Sequence, residues 1–187
     1  MSIQKTVYVF ILTLALTACT KGKPIPFISL KDDFIKHSNT DFSGKYFFLG
    51  PEIDSANMQI LAPCDCCASN MVFVNDSLFV FESLCLEEDV YSKGKYCRLG
   101  NLLLLEVQTP FVSEIRVPGT DLEETWEVRD HETNYVAMNI SELNSQLILS
   151  IKYEGGTDYG MEQGSSKQYI SELKKQGVWN KLKLSIK

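Results

Sequence analysis

The sequence has few of the groups and motifs on which most enzymes depend. It contains only two histidines, His37 and His131, and none of the GxSxG, HExxH, P-loop or dinucleotide-binding motifs. Lysines and arginines cluster only near the C-terminus, in "SELKKQ" and "NKLKLSIK", and the formal net charge is -6. These absences argue against the common hydrolases and nucleotide enzymes, and the acidic balance argues against a nucleic-acid partner.

The start of the sequence also lacks an apolar run long enough to cross a bilayer. Residues 7–16 form a run of about ten mostly apolar residues, whereas a spanning helix needs roughly 20. Lys5 precedes this run and small residues follow it. That order is typical of a cleaved signal region, which we predict over residues 1–18.

The four residues "LTAC" at 16–19 resemble the lipobox of bacterial lipoproteins, in which a diacylglycerol is attached to the cysteine. The resemblance implies that Cys19 becomes the mature N-terminus and binds the protein to membrane lipid, because several acyl chains anchor stably where one is marginal. The alternative is an ordinary secretory signal with a chance cysteine. Thr20, rather than aspartate, follows Cys19, which in enterobacterial lipoproteins favours the outer membrane. We therefore expect a lipid-anchored protein of the bacterial cell envelope, at the outer membrane.

The rest of the chain predicts a tether followed by one domain. Residues 19–40 contain "TKGKPIPF", which has the small, basic and proline residues of a lipidated tether. Residues 41–187 form a single β-rich domain. In it, an Asn repeatedly precedes a strand that contains Leu, as expected of tight hairpins. The segments are "VNDSLFVF" (74–81), "LGNLLLLEV" (99–107), "LNSQLILSI" (143–151) and "WNKLKLSI" (179–186).

One helix candidate interrupts the strands, "SSKQYISELKKQG", with Gly177 placed to end it. Many short antiparallel strands with one or two short helices usually close into a barrel or fold into a sandwich. We predict a mainly β fold, an antiparallel meander that closes into a small barrel.

Residues 42–107 resemble the N-terminal domain of NlpE-type outer-membrane lipoproteins, which is a small lipocalin-like barrel. The segments that carry the resemblance are "FSGKYFFLG", "APCDCC", "VNDSLFVFES" and "GKYCRLGNLLLLEV". It implies an envelope sensor, a copper-handling accessory or a general binding barrel. The family's cysteine motif has two residues between its thiols, whereas Asp65 alone separates Cys64 from Cys66 here, so only the position of the segment is carried over.

Five cysteines remain if Cys19 is lipidated, namely Cys64, Cys66, Cys67, Cys85 and Cys97. Export places them in an oxidising compartment, and an odd number leaves at least one outside any intrachain bridge. We expect disulfides that join one or two of the "CDCC" thiols to Cys85 or Cys97. Cys85 and Cys97, on either side of a loop through "EEDVYSKG", could also face each other.

Two other uses of the thiols stay open. Cys64, Cys66 and Cys67 could bind Cu(I) or zinc as soft ligands. They could instead form a redox couple, although the charge of Asp65 opposes the lowered thiol pKa that such a couple needs. Apart from such a metal, no cofactor is implied.

Two further patterns bear on function. The acidic runs "CLEEDVY" and "GTDLEETWEVRDHE" predict solvated loops, or else calcium ligands or a carboxylate pair. Aromatic residues in "KYFF" and "LFVF" predict core positions or the wall of a ligand cavity. The sequence thus favours a non-catalytic binding or sensing module that binds membrane lipid through Cys19 and recognises another envelope protein or a small apolar ligand. The alternatives are a soft-metal handling protein and a thiol oxidoreductase.

Overall fold

The computed structural model describes residues 42–63, 68–85, 88–115, 125–129 and 134–184. These ranges contain eleven strands and two helices. They are β1 (Lys45–Gly50), β2 (Glu52–Asp54), β3 (Gln59–Leu61), β4 (Ala68–Phe73), β5 (Leu78–Leu84), β6 (Glu88–Leu99), β7 (Leu102–Ile115), β8 (Thr125–Arg129), β9 (Asn134–Leu143), β10 (Gln146–Tyr153), β11 (Gly156–Ser165), α1 (Ser166–Lys175) and α2 (Val178–Lys181).

Eight of these strands close into an antiparallel barrel, which confirms the predicted fold class. The strand order is β6-β5-β4-β1-β11-β10-β9-β7, and β6 pairs with β7 to close the ring. The first part of β7 pairs with β9, whereas its last part, Phe111–Ile115, pairs with β8 beyond the ring. The strands β2 and β3 form a separate hairpin. Closure leaves the eight barrel strands without open edges.

Three of the four Asn-led hairpins are confirmed. Turns precede β5, β7 and β10, and the last two contain residues with positive φ: Gly100 (60°), Asn144 (49°) and Ser145 (65°). Left-handed backbone of this kind matches the twist of adjoining strands in tight hairpins. The residues of each turn therefore determine how the two strands that it joins are aligned.

The fourth predicted strand, 179–186, is wrong, because α2 occupies residues 178–181. Val178, Trp179 and Leu182 are all buried in one cluster on the outer face of the barrel. Their spacing places them on one side of a helical turn. The alternating apolar residues of "KLKLSIK" predicted a strand. Leu182 belongs both to that alternation and to the helical spacing of Val178 and Trp179, and the structure has the helix.

The predicted helix is confirmed as α1. Ser165 caps its start by accepting a hydrogen bond from the backbone N of Lys167, and Gly177 (φ 77°) follows its end. Tyr169, Ile170 and Leu173 pack on the outer face of the barrel. The helix therefore covers the wall of the barrel without entering its lumen.

Aromatic side chains fill one half of the barrel lumen. Phe42, Phe47 and Phe73 are fully buried, and the ring of Phe73 lies 4.7 Å from that of Tyr96 in an edge-on contact. We call this group, with Tyr96, the aromatic floor. Every residue of the hydrophobic clusters lies between 42 and 184, so a chain that begins at residue 19 keeps the whole described core.

No helix in the described ranges is both long enough and apolar enough to cross a membrane.

Candidate functional site: a cavity in the barrel lumen

The other half of the lumen contains a cavity of about 280 Å³. It lies toward the end of the barrel at which β5 finishes and β10 turns into β11, which we call the Cys85 end. Alternate residues of each strand point inward. The apolar residues that line the cavity are Leu49, Met71, Phe79, Phe81, Leu105, Val107, Phe111, Val136, Met138 and Ile151. The polar ones are Ser69, Ser92, Asn134 and Asp158.

The aromatic residues of "LFVF" illustrate both sequence expectations. Phe79 is fully buried within the core cluster, and both Phe79 and Phe81 line the cavity. Gly94 allows this placement, because a Cβ atom there would lie 2.6 Å from a ring carbon of Phe79. The ring of Phe79 therefore occupies the space that a side chain on β6 would need.

Asp158 is the charged residue among the described residues that line this cavity. It lies on β11 directly opposite Ile151 of β10, which also lines the cavity. The hydroxyl of Tyr153 donates a hydrogen bond of 2.9 Å to Oδ1 of Asp158. This hydrogen bond restrains the carboxylate at the Cys85 end, opposite the aromatic floor.

Cys85 directly follows β5 and takes part in a disulfide. Cys97 is present as a thiol, so it is not the partner of Cys85. The backbone N of Cys85 also donates a 3.2 Å hydrogen bond to Oδ1 of Asp89. Ala68 begins β4 just after the "CDCC" segment and pairs with Leu84, just before Cys85. The register of β4 and β5 therefore places Ala68, the first described residue after that segment, beside Leu84.

The expectation that Cys97 forms a disulfide with Cys85 or with a "CDCC" thiol is wrong, because Cys97 is present as a thiol. The segment "EEDVYSKG" was expected to be a loop, but its described residues belong to the long strand β6. Because Ser83 pairs with Val90 and Leu78 with Lys95, Cys85 and Cys97 lie near opposite ends of β6. That separation is roughly 30 Å at about 3.3 Å per residue, far beyond disulfide reach. Cys97 is instead fully buried, in a cluster with Leu104.

The remaining predicted site residues, Cys19, Cys64, Cys66 and Cys67, lie outside the described residues, as do His37 and His131. Within the described ranges, no group of three His, Cys, Asp or Glu side chains could hold a metal ion. The Cu(I) or zinc site at "CDCC" therefore stays a prediction.

Buried carboxylates on the outer face correct the expectation that the run "CLEEDVY" is a solvated loop. Asp89 is only 2% exposed and lies opposite Glu114, which is 5% exposed. Both belong to adjacent strands of the barrel, β6 and β7. The closure of the ring, rather than the local sequence, therefore buries these acids.

A network of tyrosines and Glu82 joins α1 to the barrel wall. Glu82 Oε2 accepts hydrogen bonds from Asn70 Nδ2 and from the hydroxyl of Tyr169 on α1. The hydroxyl of Tyr46 donates a 2.7 Å hydrogen bond to Asn70 Oδ1. Burial, and then the charge and hydrogen bonding of Glu82, raise the pKa of Tyr91 far above its usual value, so its phenol stays protonated. The sequence did not predict this network, for which its local signal is a Glu within the apolar strand "LFVFESL".

The fold and the cavity together define a class, the small closed antiparallel barrels whose lumen can hold one ligand, as in lipocalin-like proteins. Comparisons with models of known protein families, with curated proteins and with solved structures found no match. The resemblance to NlpE-type lipoproteins therefore stays a prediction from the sequence.

Proposed function

We propose that this protein is a lipid-anchored module of the bacterial cell envelope that binds a small, mainly apolar ligand in its barrel and catalyses no reaction on it. The observation that supports the proposal is the lumen cavity of about 280 Å³ with its apolar wall. Cavities for small molecules usually measure roughly 300–1,000 Å³, and this cavity lies just below that range, so its ligand should be small.

The two halves of the lumen support a binding role for the cavity. An eight-stranded barrel is just wide enough either to be filled by its own side chains or to hold one small ligand. The aromatic floor fills one half, whereas the other half retains space between apolar walls. Unfilled apolar space forgoes packing contacts and costs stability, so a ligand that fills it would recover them.

Val136→Trp should weaken the binding of apolar ligands. Val136 lines the cavity and is only partly buried, so a larger side chain there would occupy ligand space. We expect the dissociation constant for octanol to rise at least about tenfold, measured by isothermal titration calorimetry. Circular dichroism should still show the β-rich spectrum of the wild-type protein.

Val128→Trp is the matched control. Val128 lies on β8 and is 58% exposed, so the same substitution there adds bulk outside the barrel. It should leave octanol binding unchanged. Equal binding by both variants would show that the ligand does not enter the lumen.

The membrane anchor is the second part of the proposal and depends on the "LTAC" lipobox. Cys19→Ser should stop both lipid attachment and cleavage of the precursor at this position, because the thiol is the acceptor of the diacylglycerol. Labelled palmitate should enter the wild-type protein and not the variant. Equal labelling of the two proteins would contradict lipidation at Cys19.

A further inference from the structure

We propose that Asp158 makes the cavity selective for amphiphiles with a positively charged head group, and that it disfavours anionic ones such as fatty acids. This inference rests on the proposed function, because it assigns a ligand class to the same cavity. The specificity-determining group is the carboxylate of Asp158.

The geometry leaves this carboxylate able to accept a further hydrogen bond. The hydroxyl of Tyr153 occupies Oδ1 at 2.9 Å. Within the described part of the chain, no other group donates a hydrogen bond to Asp158. Oδ2 can therefore accept a hydrogen bond from a ligand, while the contact with Tyr153 keeps the side chain in place.

The position of Asp158 matches the head of an amphiphile. Ile151, its cross-strand partner, provides apolar wall beside it, and two pairs further along the ladder Leu149 lies opposite Gly160 in the core. The lumen thus changes from apolar near the aromatic floor to charged at the Cys85 end. An apolar tail would lie toward the floor, and the head group would lie at Asp158.

The charges around the cavity favour a cation. Among the described residues that line it there is no Lys, Arg or His, and the other polar residues, Ser69, Ser92 and Asn134, are neutral. An ammonium group would form a charge-assisted hydrogen bond with Asp158. A carboxylate would lose water beside a like charge with no cation to compensate it. An alcohol, which can donate a hydrogen bond but has no charge, should bind with intermediate affinity.

The test uses three probes with the same tail, namely octylammonium, octanol and octanoate. Each is titrated calorimetrically at neutral pH into the chain from residue 19, with Cys19→Ser so that no lipid is attached. We expect octylammonium to bind at least about tenfold more tightly than octanoate, with octanol between them. Asp158→Asn should remove most of this difference between octylammonium and octanoate.

Glu154→Gln is the matched control, because it makes the same change in charge at an exposed residue of the β10–β11 turn. It should keep the wild-type preference. Equal binding of all three probes by the wild-type protein, or an unchanged preference in Asp158→Asn, would overturn the role of Asp158 and leave the proposed function standing. Failure of all three probes to bind would overturn the proposed function itself, and this inference with it.

Discussion

Leu149→Asp should destabilise the barrel by about 4 kcal/mol or more, which is enough to unfold many domains of this size. Leu149 is fully buried and packs within the cluster that fills the lumen. An aspartate there would lose the apolar contacts and place a carboxylate in the core without a cation or a sufficient set of hydrogen bonds. Urea denaturation followed by far-ultraviolet circular dichroism measures the change in the free energy of unfolding.

Leu99→Asp provides the control for this experiment. Leu99 ends β6 beside a turn and is 40% exposed, so its replacement should cost less than about 1 kcal/mol. Leu147→Asp should fall between the two, because Leu147 is only partly buried against the same cluster. If Leu149→Asp lowered the free energy of unfolding no more than Leu99→Asp does, the side chain of Leu149 would not point into the barrel.

The strands and turns could be predicted from the sequence because their signals are local. Asn144 and Ser145 adopt the positive φ that a tight hairpin needs, and the alternation that follows them identifies the two faces of β10. The segment after Gly177 could not be predicted in this way. There, strand and helix patterns share Leu182, and packing on the barrel decides between them.

The cavity could not be predicted from the sequence, because it forms only when the ring of strands closes. Asp158 lies within "GGTDYG", where an acidic residue next to glycines is typical of a hairpin turn, so nothing local indicates that it faces the lumen. Asp89 was likewise expected in solvent, and the pairing of β6 with β7 buries it. Both residues acquire their environment from neighbours that are distant in the sequence.

The distance between Cys85 and Cys97 could not be predicted from the local sequence either. Cys85 and Cys97 were possible partners while the intervening segment was expected to be a loop. Once that segment belongs to β6, the two residues lie near opposite ends of a strand. The hydrophobic pattern "VYSKGKY" is too weak to establish a long strand by itself, and the register with β5 on one side and β7 on the other establishes it.

Reduction of the Cys85 disulfide should lower the free energy of unfolding by about 2–4 kcal/mol. Cys85 lies at one end of the barrel, Cys97 is a thiol, and we predict that the partner of Cys85 is Cys64, Cys66 or Cys67. Cross-linking limits the freedom of the unfolded chain, so its loss favours unfolding. The melting temperature should fall by roughly 2–4 °C for each kcal/mol lost, with no metal present.

Cys85→Ser separates the bridge from other effects of the reductant. This variant should melt near the temperature of the reduced wild-type protein and should not respond to reductant. Peptide mapping without reduction, before and after alkylation, would identify the partner of Cys85 and the thiols that remain. If the purified protein instead carried all five thiols reduced, bound Cu(I) stoichiometrically and gained its stability only from that ion, the "CDCC" segment would be a soft-metal site. The bridge would then have no structural role, because thiolates that hold Cu(I) are not available for a disulfide.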